Sequence, residues 1–447
     1  VLWLVAAALF FTVYMGVINI RGFSHALRVV RGDYKDSTAD GEITHFQAVS
    51  TAISGTVGIG NIGGVAVAIG MGGPGAAFWL FLAGFLGMST KLVECTLGVK
   101  YRKINADGSV SGGPMYYLEA LLTERKFPRI GKLLGGFYAL ALVIGCFGIG
   151  NMFQSNQAYA QFVNITGGDQ SFFGERGWLF GLIMALTIGA VIIGGIRSIA
   201  KVASKIVPFM SILYVVSALV ILIMSAEYLP EAITLIISEA FSAQSATGGM
   251  VGAMIIGFQR AVFSNEAGIG SASIAHSAVQ TEEPASEGLV SLLEPFIDTM
   301  VICTMSSLVI VATAYPAGLM DAGLEGIELT SAAFEHHVSW APYPLALAGL
   351  LFAFSTTLAW SYYGLQGWLY LVGDSPKAQL GFKLVFCGFV MLGSMIQLTA
   401  VLDFSDAMVF LISIPNILGL YFFAPLVKRE VNLYLKKIRD SREEFNE

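Results

Sequence analysis

Charge is what this sequence has least of. Asp, Glu, Lys and Arg make up 13% of its 447 residues, against roughly 25% in soluble domains, and that deficit argues against a water-soluble globule. Cysteine is sparse and dispersed: Cys95, Cys146, Cys303 and Cys387 stand singly in apolar runs, without the spacing of a zinc site or a disulfide framework. Histidine gives no metal signature, because the adjacent His336 and His337 point in different directions on a helix. GxSxG and HExxH are missing, which removes the serine-hydrolase elbow and the zinc-protease helix. The net charge of −6 says little about partners, since acidic residues scattered through loops contribute little to topology. Asn164-Ile-Thr166 is a formal glycosylation sequon with no meaning in a bacterial cell.

What the chain has instead is apolar length. Apolar residues reach 55% and the mean hydropathy is +0.71. Runs of about twenty such residues, the length that crosses a bilayer as a helix, fall near 1–20, 46–70, 74–98, 131–160, 178–196, 205–226, 247–275, 288–316, 343–372, 380–400 and 404–427. No soluble domain is left over. The first run begins without an initiator Met, so the chain is expected to start inside a longer one; with no charged n-region and no small-residue cleavage site before Arg21, it reads as a span and not a signal peptide.

Basic residues orient the spans. If the first run exits into the cytoplasm, all but three of the 25 Lys and Arg (Arg176, Lys91 and Arg260) fall in cytoplasmic segments. These include Lys35, the Lys100 to Lys132 stretch, and the tail from Lys428 to Arg442. Such asymmetry fixes a cytoplasmic C-terminus by the positive-inside rule.

Two runs are interrupted by polar, glycine-rich segments: Ser54-Gly-Thr-Val-Gly-Ile-Gly-Asn-Ile-Gly-Gly64 and Phe263-Ser-Asn-Glu-Ala-Gly-Ile-Gly-Ser271. A helix broken in hydrocarbon leaves backbone groups unpaired at several kcal/mol each, so breaks survive where they line a cavity. Glycine alone would also fit close helix packing; Asn61, Ser264, Asn265 and Glu266 weigh against that, since polar groups at mid-membrane are costly without a task. The interrupted runs are the second and the seventh, five apart, so they cross in opposite directions. The expected fold is an all-α polytopic membrane protein of about 11 transmembrane helices, one N-terminal helix plus a 5+5 inverted repeat with two broken helices. Residues 1–45 would be the extra helix and its cytoplasmic connection, 46–226 and 247–427 the two repeats, and 428–447 a cytoplasmic tail. Gly58-Ile-Gly-Asn-Ile-Gly63 matches a dinucleotide fingerprint letter for letter, but it sits inside a span and has no acidic residue about twenty positions on.

Intramembrane charges sort by surroundings. Lys91 and Glu94, three apart near a helix end, read as a local ion pair. Glu294 and Asp298, four apart on one face, either relay protons, coordinate cations or pair with Arg260. Glu266, inside the break, reads as a brace or a coupling residue.

Gly55 to Gly64, Gly72-Gly-Pro-Gly75 with Phe78-Trp79, Ser111-Gly-Gly-Pro-Met-Tyr-Tyr-Leu-Glu119, and Ser264-Asn-Glu-Ala-Gly-Ile-Gly270 together resemble the alanine or glycine:cation symporter family over essentially the whole chain. One stretch departs: Ala77-Phe-Trp-Leu-Phe81 stands where that family reads closer to Ile-Phe-Trp-Met-Trp. The resemblance implies the leucine-transporter fold and sodium-coupled uptake of a small neutral amino acid, with no cofactor, no covalent chemistry and no nucleic-acid partner. It also implies a multi-pass protein of a bacterial or archaeal inner membrane, with membrane lipid as its surroundings.

The physics of a break agrees. Free N–H groups at the start of a second half-helix attract a carboxylate, and unpaired carbonyls at the end of the first attract a cation. The expected carboxylate site is therefore Gly58, Ile59 and Gly60 with the Asn61 side chain, and the ammonium should meet the carbonyls near Phe263 and Asn265. By the resemblance Gln154, Thr356 and Trp360 line the substrate; interhelical bonding for Gln154 and core packing for Trp360 are the plainer readings. Aligned with the fold's cation site, the carbonyls of Ser54, Val57 and Phe352 and the hydroxyls of Ser355 and Thr356 are the sodium ligands, and the Thr56 carbonyl, Asn61 and Ser264 form a second site. A proton-coupled carrier using Glu266 or the Glu294/Asp298 pair is the rival reading. A channel lacks a pore-lining stripe, and a membrane enzyme lacks a nucleophile or metal cluster.

Overall fold

Runs too apolar for water fold as helices in a bilayer, because a helix satisfies its backbone polar groups within itself. The computed structural model of the chain describes residues 1–34, 38–242 and 249–446, and it is built almost wholly of helices. Among the described residues the one sheet is a hairpin pairing Lys103–Ile104 with Val110–Ser111.

Each of the eleven apolar runs falls on a helix or a broken pair of helices. By length and composition, six described helices cross a membrane unbroken: Gly75–Lys100, Pro128–Ile165, Gly195–Met224, Pro284–Thr313, Pro342–Val372 and Leu398–Asp440. A seventh span is His45–Thr56 with Ile59–Gly72, bent by 60° at its break. Leu2–Tyr14 and Gly177–Ile192 are shorter apolar helices, and Pro376–Gly393 has 18 residues. Lys35, residues 247 and 248 of the seventh run, Glu447 and the side chain of Arg442 lie outside the described residues.

Short helices that a search for long apolar runs passes over fill the connections: Phe23–Arg31, Pro114–Glu124, Leu229–Ala240 and Ile327–His337. The last helix runs Leu398–Asn446, so the basic segment after residue 427 continues it. Lys100 Nζ holds that extension through Glu430, 2.9 Å away, and the His25 ring meets the Tyr434 hydroxyl at 2.9 Å.

Both broken helices lie in the centre. His45–Thr56 packs on Gly195–Met224 and Pro342–Val372, and Gly249–Asn265 packs on Gly63–Gly72 and Gly75–Lys100. Two neighbours widen into π-helix beside the breaks, at Gly148–Met152 and Phe296–Cys303. Such widenings are rare and gather at functional sites. At the first, Gly150 leaves room for Trp360: a Cβ there would fall 1.9 Å from the indole Cγ.

Candidate functional site

The first half-helix begins with a capping box. Thr44 accepts from the Gln47 backbone and Gln47 reciprocates, which secures two end groups at once. It ends at Thr56, and the chain passes through extended Val57 and Gly58 into a 3₁₀ turn at Ile59–Asn61 before the second half-helix Gly63–Gly72. The freed N–H groups find side chains. Gly58 N donates to Asn61 Oδ1 at 2.8 Å, and Ile59 N donates to Gln154 Oε1 at 3.1 Å. Gln154 thus makes an interhelical bond, and it does so inside the predicted site. A Cβ on Gly58 would lie 2.6 Å from the Thr356 hydroxyl and 2.9 Å from Gln154, so glycine there is a condition of the close approach.

The second helix breaks after Asn265. Glu266 takes a left-handed φ of +58°, and Gly268 and Gly270 follow at +96° and +85°. A non-glycine residue at such a φ marks a backbone held by its surroundings. The holders are visible: Glu266 accepts from the Ser271 hydroxyl and from Trp360 Nε1, the latter at 2.8 Å. Gly268 N donates to Glu94 Oε1 at 2.9 Å, Asn416 Nδ2 donates to that same oxygen and to Gly268 O, and the Tyr138 hydroxyl donates to Ile269 O. The expected Lys91–Glu94 ion pair is therefore absent. Glu94 serves the backbone of the break, while Lys91 Nζ lies 3.2 Å from Glu294.

Asp298 joins the two breaks. Asn61 Nδ2 donates to Asp298 Oδ1 at 2.5 Å and to its backbone carbonyl at 3.1 Å. Ser264 and Thr299 hydroxyls donate to Oδ2 at 2.8 and 2.6 Å, and Asn265 Nδ2 donates to Thr299 Oγ1 at 3.0 Å. Asp298 does not pair with Arg260, and it does not act beside Glu294. Arg260 Nη2 bonds Asp406, and Glu294 is engaged with His276 and Lys91 while Asp298 takes Asn61, Ser264 and Thr299. Asn61 and Ser264 of the second cation set thereby meet on one carboxylate, which the sequence had left open between proton relay, cation binding and pairing with Arg260.

The first cation set also converges. Ser54 Oγ donates to the Ser355 carbonyl at 2.6 Å, Thr356 Oγ1 to the Val57 carbonyl at 3.3 Å, and Ser355 Oγ to the Phe352 carbonyl at 3.1 Å. Three hydroxyls and several carbonyls within one such cluster form the oxygen-only donor set a hard cation takes. Phe263 borders the first break, 3.5 Å from the position of a Cβ on Gly60, with Phe153 packed edge-on against it. Trp360 is fully buried, stacked into Gly150 and bonded to Glu266.

Towards the basic face a buried polar chain closes the bundle: His45 Nδ1 to Glu287, Glu287 to His276 Nδ1, His276 Nε2 to Glu294 at 2.5 Å, and Glu294 to Lys91. Cys95 stands near His276 and Glu294, but both imidazole nitrogens are engaged with carboxylates and Lys91 compensates charge, which describes an ion network and not a metal centre. His45, His276 and Glu287 carried no signal in the sequence.

Comparison with known proteins follows the same line. The model of the sodium:alanine symporter family matches residues 1–447. The chain is 38% identical over 437 residues to the sodium/alanine symporter AgcS of Methanococcus maripaludis, covering 96% of this chain and 93% of that one. It is 35% identical over 384 residues to YrbD of Bacillus subtilis, a putative sodium/proton-dependent alanine carrier, covering 83% and 76%. Among solved structures, MhsT in complex with L-phenylalanine superposes with a TM-score of 0.63 at 16% identity, covering 88% of this chain and 99% of that one.

Proposed function

The chain belongs to the sodium:alanine symporter family, and from that premise we propose that it imports a small neutral amino acid, alanine or glycine, together with sodium by alternating access. It is a multi-pass membrane transporter of the leucine-transporter fold and not an enzyme. The observation that carries the proposal is the meeting of the two breaks on Asp298, where Asn61 of one and Ser264 of the other share a single carboxylate.

In this reading the substrate carboxylate takes the N–H groups of Gly58, Ile59 and Gly60, displacing the side-chain oxygens of Asn61 and Gln154 that accept from two of them. Its ammonium faces the carbonyls near Phe263 and Asn265, and Thr356, Trp360 and Phe263 bound its side chain. One sodium binds among Ser54, Val57, Phe352, Ser355 and Thr356. A second binds Thr56 carbonyl, Asn61 and Ser264, with Asp298 supplying the negative charge. Those residues are nearly all buried, as expected of a state closed on both sides. The basic face and the C-terminus are cytoplasmic, in a bacterial or archaeal inner membrane.

The test is uptake into liposomes. Labelled alanine should accumulate under an inward sodium gradient and not under a proton gradient alone. One observation favours a second reading: the His45–Glu287–His276–Glu294–Lys91 chain is a continuous series of exchangeable groups from one face toward the middle. Accumulation driven by protons without sodium would select it.

A further inference from the structure

The stretch Ser111-Gly-Gly-Pro-Met-Tyr-Tyr-Leu-Glu119 lies outside both breaks, yet its residues reach one of them. Gly113 turns the chain at a φ of +115°, where a Cβ would fall 2.5 Å from Ile274 Cγ1, and Pro114 opens the helix Pro114–Glu124. A Cβ on Gly270 would fall 2.4 Å from Pro114 Cγ, so the start of this helix sits directly on the chain that leaves the second break. One turn on, Tyr117 is fully buried and donates its hydroxyl to Asn416 Oδ1. Asn416 is fully buried too. Its Nδ2 donates to Glu94 Oε1 at 2.8 Å and to the Gly268 carbonyl at 2.9 Å, and Gly268 N donates to the same Glu94 oxygen at 2.9 Å. These bonds close a ring on Gly268, whose left-handed φ of +96° comes just after that of Glu266.

We infer that Tyr117 is a positioning residue of the substrate site, acting through Asn416 on the second break. The inference rests on the transport reading above, in which carbonyls near Phe263 and Asn265 face the substrate ammonium. An amide side chain has one acceptor end and one donor end. Turned over, Asn416 would set its oxygen against Glu94 Oε1 and the Gly268 carbonyl, and the Tyr117 hydroxyl is the donor that holds the amide the other way round. Without that hydroxyl, Asn416 Oδ1 is a buried acceptor left unpaired, a penalty larger than the net worth of the bond itself. The amide is then free to tilt away from Gly268, and the ring that fixes the break loosens. The same short helix carries its own comparison: Glu119 accepts from the Tyr370 hydroxyl at 2.6 Å, a bond that leads to Pro342–Val372 and not to the break.

Equilibrium binding of labelled alanine to the reconstituted protein in saturating sodium tests this. Tyr117→Phe and Tyr370→Phe each remove one oxygen from a bond of the same helix. Tyr117→Phe should raise the alanine Kd about tenfold, whereas Tyr370→Phe should move it by less than about twofold. Asn416→Leu, which keeps the volume and removes the amide, should raise the Kd at least as much as Tyr117→Phe. Adding Tyr117→Phe to it should then raise the Kd no further, because a residue that acts only through another has no effect once that other is gone. Should Asn416→Leu not fold, Asn416→Ser takes its place in the cycle; should neither fold, the comparison of the two tyrosines decides alone. An alanine Kd unchanged in Tyr117→Phe overturns the inference, as do an equal rise in Tyr370→Phe and additive effects of Tyr117→Phe and the Asn416 variant. Absence of any saturable alanine binding to the wild type instead removes the transport reading, and with it the site that Tyr117 positions.

Discussion

Trp360 donates its indole N–H to Glu266 Oε1 across 2.8 Å, joining an unbroken helix to the left-handed turn of the second break. The other oxygen of Glu266 takes the Ser271 hydroxyl, so one carboxylate satisfies a donor from inside the break and a donor from outside it. The indole ring rests on Gly150, in the π segment of a third helix. The geometry of the break is thus set by contacts among three helices, in an interior where packed surfaces transmit displacement.

Gly150→Ala tests that arrangement. Its Cβ would sit 1.9 Å from Trp360 Cγ, so the indole must move and its bond to Glu266 must stretch. Overpacking of this kind costs about 1–3 kcal/mol or more, read as a lower melting temperature in detergent. Trp360→Gly, which removes the Cβ, Cγ and Cδ1 that the new methyl would strike, should relieve the collision, and the double variant should lose less than the sum of the singles by about 0.5–3 kcal/mol. Additive losses would show that Gly150 and Trp360 act independently.

Glu266 itself is expected to brace and not to carry protons. Glu266→Gln keeps an oxygen acceptor for one of its two donors, so sodium-driven uptake should persist with the pH profile of the wild type. Loss of accumulation with exchange retained is the signature of a proton relay, and it would move the coupling to Glu266.

The first cation set makes a separate demand. Ser355→Ala with Thr356→Ala removes two hydroxyls that now lie against the Phe352 and Val57 carbonyls. The sodium concentration for half-maximal uptake should rise several-fold, and alanine affinity at fixed sodium should fall, because linked binding is reciprocal. An unchanged sodium dependence would move the ion elsewhere.

Much of this was readable from the chain because it is local. The runs, their lengths and the two glycine-rich breaks are written within windows of about twenty residues, the scale on which a helix commits to the bilayer. The partners of buried charges are not. Arg260 reaches Asp406 and Lys91 reaches Glu294 across about 150 and 200 residues, and Glu287 lies 242 positions from His45, so spacing along one helix named the wrong pair for Lys91 and Glu94. The sequence left Asp298 open between proton relay, cation ligand and partner of Arg260, and a choice among them needs the long-range contacts that place Asn61 and Ser264 on its two oxygens. Glu94 and Asn416, which clamp Gly268, are ordinary polar residues of intact helices, and only the fold reveals what they hold.

Asp298 gives the sharpest test. Its two oxygens receive Asn61, Ser264 and Thr299, all neutral donors, and no Lys or Arg among the described residues is hydrogen-bonded to it. A buried carboxylate surrounded by neutral dipoles draws a cation, which is what a coupling site requires. Asp298→Asn keeps the size and removes the charge, and its new NH₂ either faces the Asn61 amide, donor against donor, at about 1–3 kcal/mol, or makes the Ser264 and Thr299 hydroxyls turn from donors to acceptors. Two measurements separate this structural cost from ion binding. The variant's melting temperature without sodium reports the cost alone. The rise in melting temperature on adding sodium reports binding, since a ligand of the native state stabilises it by RT ln(1 + [L]/Kd). With wild-type protein that rise should be clear, and in Asp298→Asn most of it should vanish, with sodium half-saturation for alanine binding raised tenfold or more. A variant that melts earlier yet gains as much from sodium as the wild type would mean that Asp298 only ties the two breaks together, leaving the Ser54 to Thr356 cluster as the site where sodium binds.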